Sequence, residues 1–333
     1  MLKFIPIIIT SLLVSCVGKS TQPTNQSEAT AKSVNQLVVT VPIFNADSAF
    51  DYTAKQVAFG PRVPLSKAHL QCVKYLSDKL KQLGAEVIVQ EGEVTLFNKE
   101  KVNCKNIIGQ FNQANPNRIV LFSHWDSRPF ADQDENVMMR NVPIDGASDG
   151  ASGVAVLLEI ARNLGKQPSS LGVDVVFLDI EDYGQPDFLN LPPAEESWCL
   201  GTQYWGKKVD KSNYAPRFGI LLDMVGAKDA LFYKEGYSMQ YAPQVVDLVW
   251  RTASDLGFGN RFINDNGGTI TDDHVSVNQL AGIPTIDIIQ FDPTSNTSFG
   301  KYWHTHQDNM SIIDKNTLSA IGQTLMQVIY SEK

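Results

Sequence analysis

Three short stretches hold the residues whose types and spacing could do chemistry. The first is Ile144-Asp145-Gly146-Ala147-Ser148-Asp149-Gly150-Ala151-Ser152-Gly153, a small-residue loop that opens directly onto a helix. Small neighbours let backbone close around a compact guest and bring the Asp149 carboxylate onto it. A phosphate is a poor guest, because no Lys follows and an Asp would repel an anion. A cation fits better, since carboxylate oxygens are hard ligands. Taken alone, such a loop is only a turn. The second stretch is Asp179-Ile180-Glu181-Asp182 and the third is Trp303-His304. Asp149, Asp182 and His304 offer two oxygens and an imidazole nitrogen. With water or substrate in the fourth position, these make a tetrahedral catalytic zinc site. Glu181, beside a ligand but free itself, would then move protons while the metal acts as Lewis acid.

Separate elements must bring these residues together. Helical patterning marks Ala46 to Phe59 and Lys67 to Leu83, the latter with Leu70, Val73, Leu76, Leu80 and Leu83 on one face. Strands are expected at Glu86–Gln90, Val94–Phe97 and Lys105–Phe111. A continuous apolar run at Arg118–Ser123 reads as a central strand, Leu171–Leu178 as a second, and Phe218–Leu222 and Pro284–Ile289 as a third and fourth strand. Helices are expected over Ser152–Leu164, Pro243–Leu256 and Asn316–Tyr330, with a short one after Asp272-Asp273-His274. Alternating strands and helices predict an α/β fold with a mostly parallel sheet covered on both faces. In such folds the site lies beyond the carboxyl ends of the strands. His124, Glu181, Asp182 and Asp223 each follow an apolar strand there.

The chain has 333 residues and a net charge of −8, which disfavours nucleic acid as a partner. Lys3 precedes an apolar run, Phe4–Val14, that is too short to span a bilayer. Leu13-Val14-Ser15-Cys16 resembles the bacterial lipobox, which implies a signal peptide over 1–15 and lipid on Cys16. A polar stretch over 16–37 reads as a flexible tether, with an r.m.s. reach of about 25 Å. Residues 38–333 form the remaining domain. The expected location is a membrane-anchored lipoprotein facing the periplasm. Cys72, Cys104 and Cys199 remain; Cys72–Cys104 is a candidate disulfide and three buried thiols the alternative.

The pattern S-H-W-D-S, D-G-A-S-D-G-A-S-G, F-L-D-I-E-D, L-L-D-M-V-G, D-D-H and W-H-T resembles the M28 metallopeptidase superfamily, and within it the animal-type glutaminyl cyclases and their bacterial relatives. The resemblance runs from about Ala46 to the C-terminus. It implies a three-layer α/β/α sandwich with a mixed sheet and one zinc per chain, held by Asp149, Asp182 and His304. It makes Glu181 the catalytic acid/base and Asp223 and Asp272 a pair of hydrogen-bonded acids near the metal. Trp303 becomes the pocket aromatic. Trp198 and Phe299 are further pocket candidates, as is Tyr302, with ordinary packing the alternative for all three. The implied activity is that of an acyltransferase, a glutaminyl-peptide cyclotransferase acting on peptides or proteins with N-terminal glutamine. Two departures stand out: Asp182 replaces the Glu of the animal enzymes, and Asp287 falls where they place a histidine. A zinc aminopeptidase of the same superfamily is the alternative, since His124 and Asp223 stand where those enzymes hold a second zinc bridged by Asp149.

Overall fold

The computed structural model describes residues 40–192 and 194–333. Two helices, α1 (Ala46–Val57) and α2 (Lys67–Gln82), lead into a long hairpin, β1 (Glu86–Thr95) and β2 (Lys101–Phe111). Then β3 (Arg118–His124), α3 (Ala151–Lys166), β4 (Gly172–Leu178), α4 (Leu200–Lys208) and β5 (Gly219–Asp223) alternate. After them come β6 (Phe232–Lys234), α5 (Gly236–Tyr241), α6 (Pro243–Asp255), β7 (Phe262–Asn266), α7 (Asp273–Ser276), β8 (Thr285–Ile289) and α8 (Lys315–Ser331).

Six strands form the main sheet in the order β1-β2-β4-β3-β5-β8. β4, β3, β5 and β8 run parallel, whereas β2 pairs antiparallel with both β1 and β4. The sheet is therefore mixed, as expected. Every residue of β3, β4 and β8 is buried, which explains why they are mostly apolar; Asp174 in β4 and Asp287 in β8 are buried charged exceptions. Successive residues face opposite layers. Ile119, Leu121, Val173 and Val175 join the core under α1, α2, α3, α6 and α8; Val120, Phe122, Val176 and Leu178 join the core under α4, with Trp205, Val277 and Ile283. That alternation makes the three-layer sandwich.

Val39–Lys333 is one compact unit. The signal peptide, Cys16 and the tether lie outside the described residues. Among the described residues, no helix is long and apolar enough to cross a membrane.

Two expectations need correction. The strands expected at Glu86–Gln90 and Val94–Phe97 are one strand, paired with β2 from Glu86↔Gln110 to Thr95↔Lys101. Gly92 does not break it; the strand continues there, and the ring of Tyr204 packs where a side chain would stand. Cys72 and Cys104 are both free and buried. They belong to different apolar clusters, Cys72 with the main core and Cys104 with Leu96, Val102, Ile180 and Leu200, so the candidate disulfide does not form. Helix α4 and the small β6/β7 sheet carry no clear pattern in the sequence.

Candidate active site

Strand β3 delivers His124, the turn after β4 delivers Glu181 and Asp182, and β5 ends on Asp223. Asp149 stands just before α3, where Gly150 adopts φ +91° and a side chain on it would strike the Asp126 carbonyl. Only glycine allows that approach. The loop is pinned from both sides. Arg62, fully buried, donates to the carbonyls of Trp125, Asp145 and Gly146 at 3.0, 2.6 and 2.7 Å. Asp308 accepts from the N–H groups of Ser148 and Asp149 at 2.7 and 3.0 Å. Asp126 does the same for the next segment, accepting from the N–H groups of Glu181 and Asp182 at 3.2 Å each.

Asp149, Asp182 and His304 converge. Their ligand atoms lie within 4.8 Å of one another, with His304 Nε2 3.3 Å from Asp182 Oδ1 and 3.7 Å from Asp149 Oδ2. His304 sits at φ +53°, in the left-handed region, which turns its ring inward from the loop after β8. Its Nδ1 lies 3.1 Å from Asp132 Oδ1, and Asp132 in turn receives Arg128 through two bonds, 2.9 and 2.5 Å. This carboxylate behind a histidine fixes the ring and leaves Nε2 as the free donor. Arg128 also donates to the Asp182 carbonyl at 2.9 Å.

A metal ion suits this donor set. Asp182 Oδ2 is buried and has no hydrogen-bond partner among the described residues. Burial pushes the Asp182 carboxyl upward, and the nearby Asp149 charge adds to the shift. Burial and Arg128 work to lower His304, yet Asp182 and Asp132 carry it to about 9. Acids this crowded and this buried require a compensating positive charge. One nitrogen and two carboxylate oxygens match a zinc centre with an open position.

Asp149 has a second set of neighbours. Its Oδ1 lies 3.1 Å from His124 Nε2, which is also 3.1 Å from Asp223 Oδ1. His124, Asp149 and Asp223 could likewise hold an ion.

Glu181 stands beside this centre, with Oε2 4.0 Å from His124 Nδ1. Its carboxyl is pushed well above the usual range by burial, opposed by His124 and reinforced by Asp182, Asp272 and Asp273. Glu181, Asp223 and Asp272 all line one cavity of about 260 Å³ with Asp149, Asp182 and His304. Asp223 turns to His124, and Asp272 lies within ligand reach of both Glu181 and the fully buried Asp287. Burial raises Asp223 to about 7.

The rest of the wall is apolar. Trp303 stacks on His304, ring centroids 3.8 Å apart, and Phe299 packs on Trp303 at 4.8 Å. Trp198 lies parallel to His304 at 6.2 Å and carries the Arg128 guanidinium 4.5 Å above its ring. All three line the cavity, joined by Ile270, Met224 and Ile289. Tyr302 does not; it bonds Gln290 behind the wall.

Residues 106–329 match the description of peptidase family M28. The chain belongs to the M28 peptidase family. Within that family, it is 50% identical to the glutaminyl cyclase of Bacteroides thetaiotaomicron, whose crystal structure was determined with N-acetylhistamine bound. The match covers 88% of this chain and all of that one, with a TM-score of 0.86. A Zn-dependent exopeptidase from Parabacteroides distasonis is 51% identical over 88% of this chain and all of its own, with a TM-score of 0.86. The bovine glutaminyl-peptide cyclotransferase is 23% identical, over 79% of this chain and 76% of its own.

Asp132, Asp308, Arg62 and Arg128 give no signal in the sequence, and Asp126 gives one only as part of S-H-W-D-S. Each is an ordinary polar residue in a loop or turn, and nothing in its spacing says which distant group it will hold.

Proposed function

We propose that this M28 protein is a glutaminyl-peptide cyclotransferase, an acyltransferase that converts the N-terminal glutamine of peptides or proteins to pyroglutamate and releases ammonia. The observation that carries this reading is the combination of one ligand set, Asp149, Asp182 and His304, with a free Glu181 beside it at the foot of an aromatic-walled cavity. Likeness to named glutaminyl cyclases at half identity supports it. We infer one zinc per protein molecule. When bound, it supplies Lewis-acid polarisation of the substrate γ-carbonyl.

The protein's own groups do the rest. Trp303, Phe299 and Ile270 enclose the folded glutamine side chain and exclude water, so the α-amine rather than solvent reaches the γ-carbon. The amine nitrogen forms the new C–N bond, and the bond from the γ-carbon to the amide nitrogen breaks. Glu181 takes one proton from the attacking nitrogen and gives it to the leaving one, which departs as ammonia. Burial raises the Glu181 carboxyl, which helps it hold the proton in transit between the two nitrogens. Asp223 and Asp272 bound the same cavity and shape the field around Glu181.

A second reading, a dinuclear aminopeptidase, has one observation in its favour: His124 and Asp223 meet the other oxygen of Asp149. In that case Glu181 activates water. Incubation with a Gln-initiated peptide separates the two. A product lighter by ammonia supports the cyclase, and loss of a whole residue overturns it.

The lipobox-like Leu13-Val14-Ser15-Cys16 supports a periplasm-facing lipoprotein anchored through Cys16, acting on Gln-initiated peptides or proteins near the membrane surface.

A further inference from the structure

Cys199 has no part in the cyclisation described above, yet it lies against the proposed base. It adopts φ +55°, its N–H donates to the Glu181 carbonyl at 3.0 Å, and its thiol donates to Glu181 Oε1 at 3.5 Å. Asp272 comes from a third direction, the start of α7, where one oxygen accepts from the Asp273 N–H. Its Oδ2 is buried and has no hydrogen-bond partner among the described residues, and Asp272 as a whole is only 4% exposed. The Cys199 sulfur and one oxygen each from Glu181 and Asp272 lie within 4.8 Å of one another. Neither acid is salt-bridged to a lysine or arginine among the described residues. Glu181 and Asp272 line the substrate cavity, and the Cys199 sulfur lies behind them, within ligand reach of an oxygen of each.

We propose that Glu181, Cys199 and Asp272 form a second cation site, inhibitory and selective for thiophilic divalent ions such as Cd2+ or excess Zn2+. Two carboxylate oxygens with one sulfur suit such ions and disfavour Mg2+ or Ca2+, which take all-oxygen shells. The thiol proton leaves to solvent as the sulfur binds. The site is separate from Asp149, Asp182 and His304, and filling it occupies Glu181 and stops proton transfer. The inhibition rests on Glu181 being the base of the proposed reaction; the binding does not.

The test uses the zinc-loaded full-length protein titrated with Cd2+. An ultraviolet sulfur-to-cadmium charge-transfer band should grow as turnover of a Gln-initiated peptide falls, and Mg2+ should cause neither. Cys199→Ser should keep uninhibited turnover, lose the band, and need roughly tenfold or more Cd2+ for the same inhibition, the scale seen when a metal site loses one supporting group. Asp272→Asn, read by the band alone, should weaken Cd2+ binding by a similar factor. Absence of the band in the wild type overturns the site. So does a band that survives Cys199→Ser, since it would report Cys72 or Cys104, and so does equal Cd2+ inhibition of that variant, which would point to His124 and Asp223. If the protein cyclises no Gln peptide at all, the proposed function fails, while the band still reads this site.

Discussion

Replacing Asp132 with Asn probes how the metal centre is held without touching a ligand. Asp132 Oδ1 lies 3.1 Å from His304 Nδ1, and the same carboxylate takes both bonds from the fully buried Arg128. Burial works against its charge, but Arg128 and His304 together hold the carboxyl well below the usual range. Asn keeps the shape and one acceptor oxygen, so His304 can still be aimed. What is lost is the negative charge that makes the imidazole a better donor and balances Arg128. Removing a carboxylate behind a metal-bound histidine costs roughly 10- to 100-fold in metal affinity, or about 1.4 to 2.7 kcal/mol. A buried arginine left with no charge partner costs about 3 to 5 kcal/mol of stability, and Arg128 here keeps Asp182 Oδ1 at 3.5 Å. Asn retains part of the hydrogen bonding, so a loss nearer the lower end is expected. Zinc affinity measured by competition with a chelator, alongside denaturant unfolding of the metal-free protein, separates the two costs. Turnover should return at saturating zinc, because the ligands and Glu181 are intact. An unchanged zinc dissociation constant would refute the role assigned to Asp132.

Glu181→Gln should lower kcat by about 10²- to 10⁴-fold while zinc content stays at the wild-type level, because it removes a base and not a ligand; wild-type turnover would end that assignment. Trp303→Ala should raise KM by about 2- to 13-fold, the 0.5 to 1.5 kcal/mol of one aromatic contact, with a smaller change in kcat; an unchanged KM would remove Trp303 from the substrate wall. Glu235, only 2% exposed, is raised by burial, but the His274 hydrogen bond and charge and the N–H groups of Ile270 and Ser238 hold it at about 2 against an ordinary 4.5. Because its folded value is depressed, its stabilisation is present above pH 4.5 and is lost as pH falls toward 2. The gap is worth about 3 kcal/mol, so Glu235→Gln should flatten the stability profile across that window, as denaturant unfolding at several pH values would reveal. Cys16→Ser should leave the protein unlipidated and extractable without detergent; unchanged membrane retention would dismiss the lipobox reading.

Much of this is legible in the amino-acid order, for a physical reason. A strand buried on both faces is mostly apolar, so Arg118–Ser123, Leu171–Leu178 and Pro284–Ile289 announce themselves despite the buried Asp174 and Asp287, and with them the ends where His124, Glu181 and Asp182 have to lie. Helix periodicity places α2 and α8 equally well. The short helix α4 and the small β6/β7 sheet take their conformation from tertiary contacts and carry no such signal. The rim strand β1 hides its continuity because Gly92 makes room for Tyr204, which is more than a hundred residues away.

At the site, the sequence by itself determined which groups could bind a cation and which glutamate stood free beside one, since metal ligation and proton transfer restrict the residue types. The tertiary structure alone decided who faces whom. It joined His304 to Asp132 and Arg128, turned Asp223 to His124 rather than to Asp272, set Asp287 against Asp272, and laid Cys199 on Glu181. Those partnerships are set by the packing of distant loops, and a carboxylate or a thiol in a loop has the same local spelling whichever partner it meets.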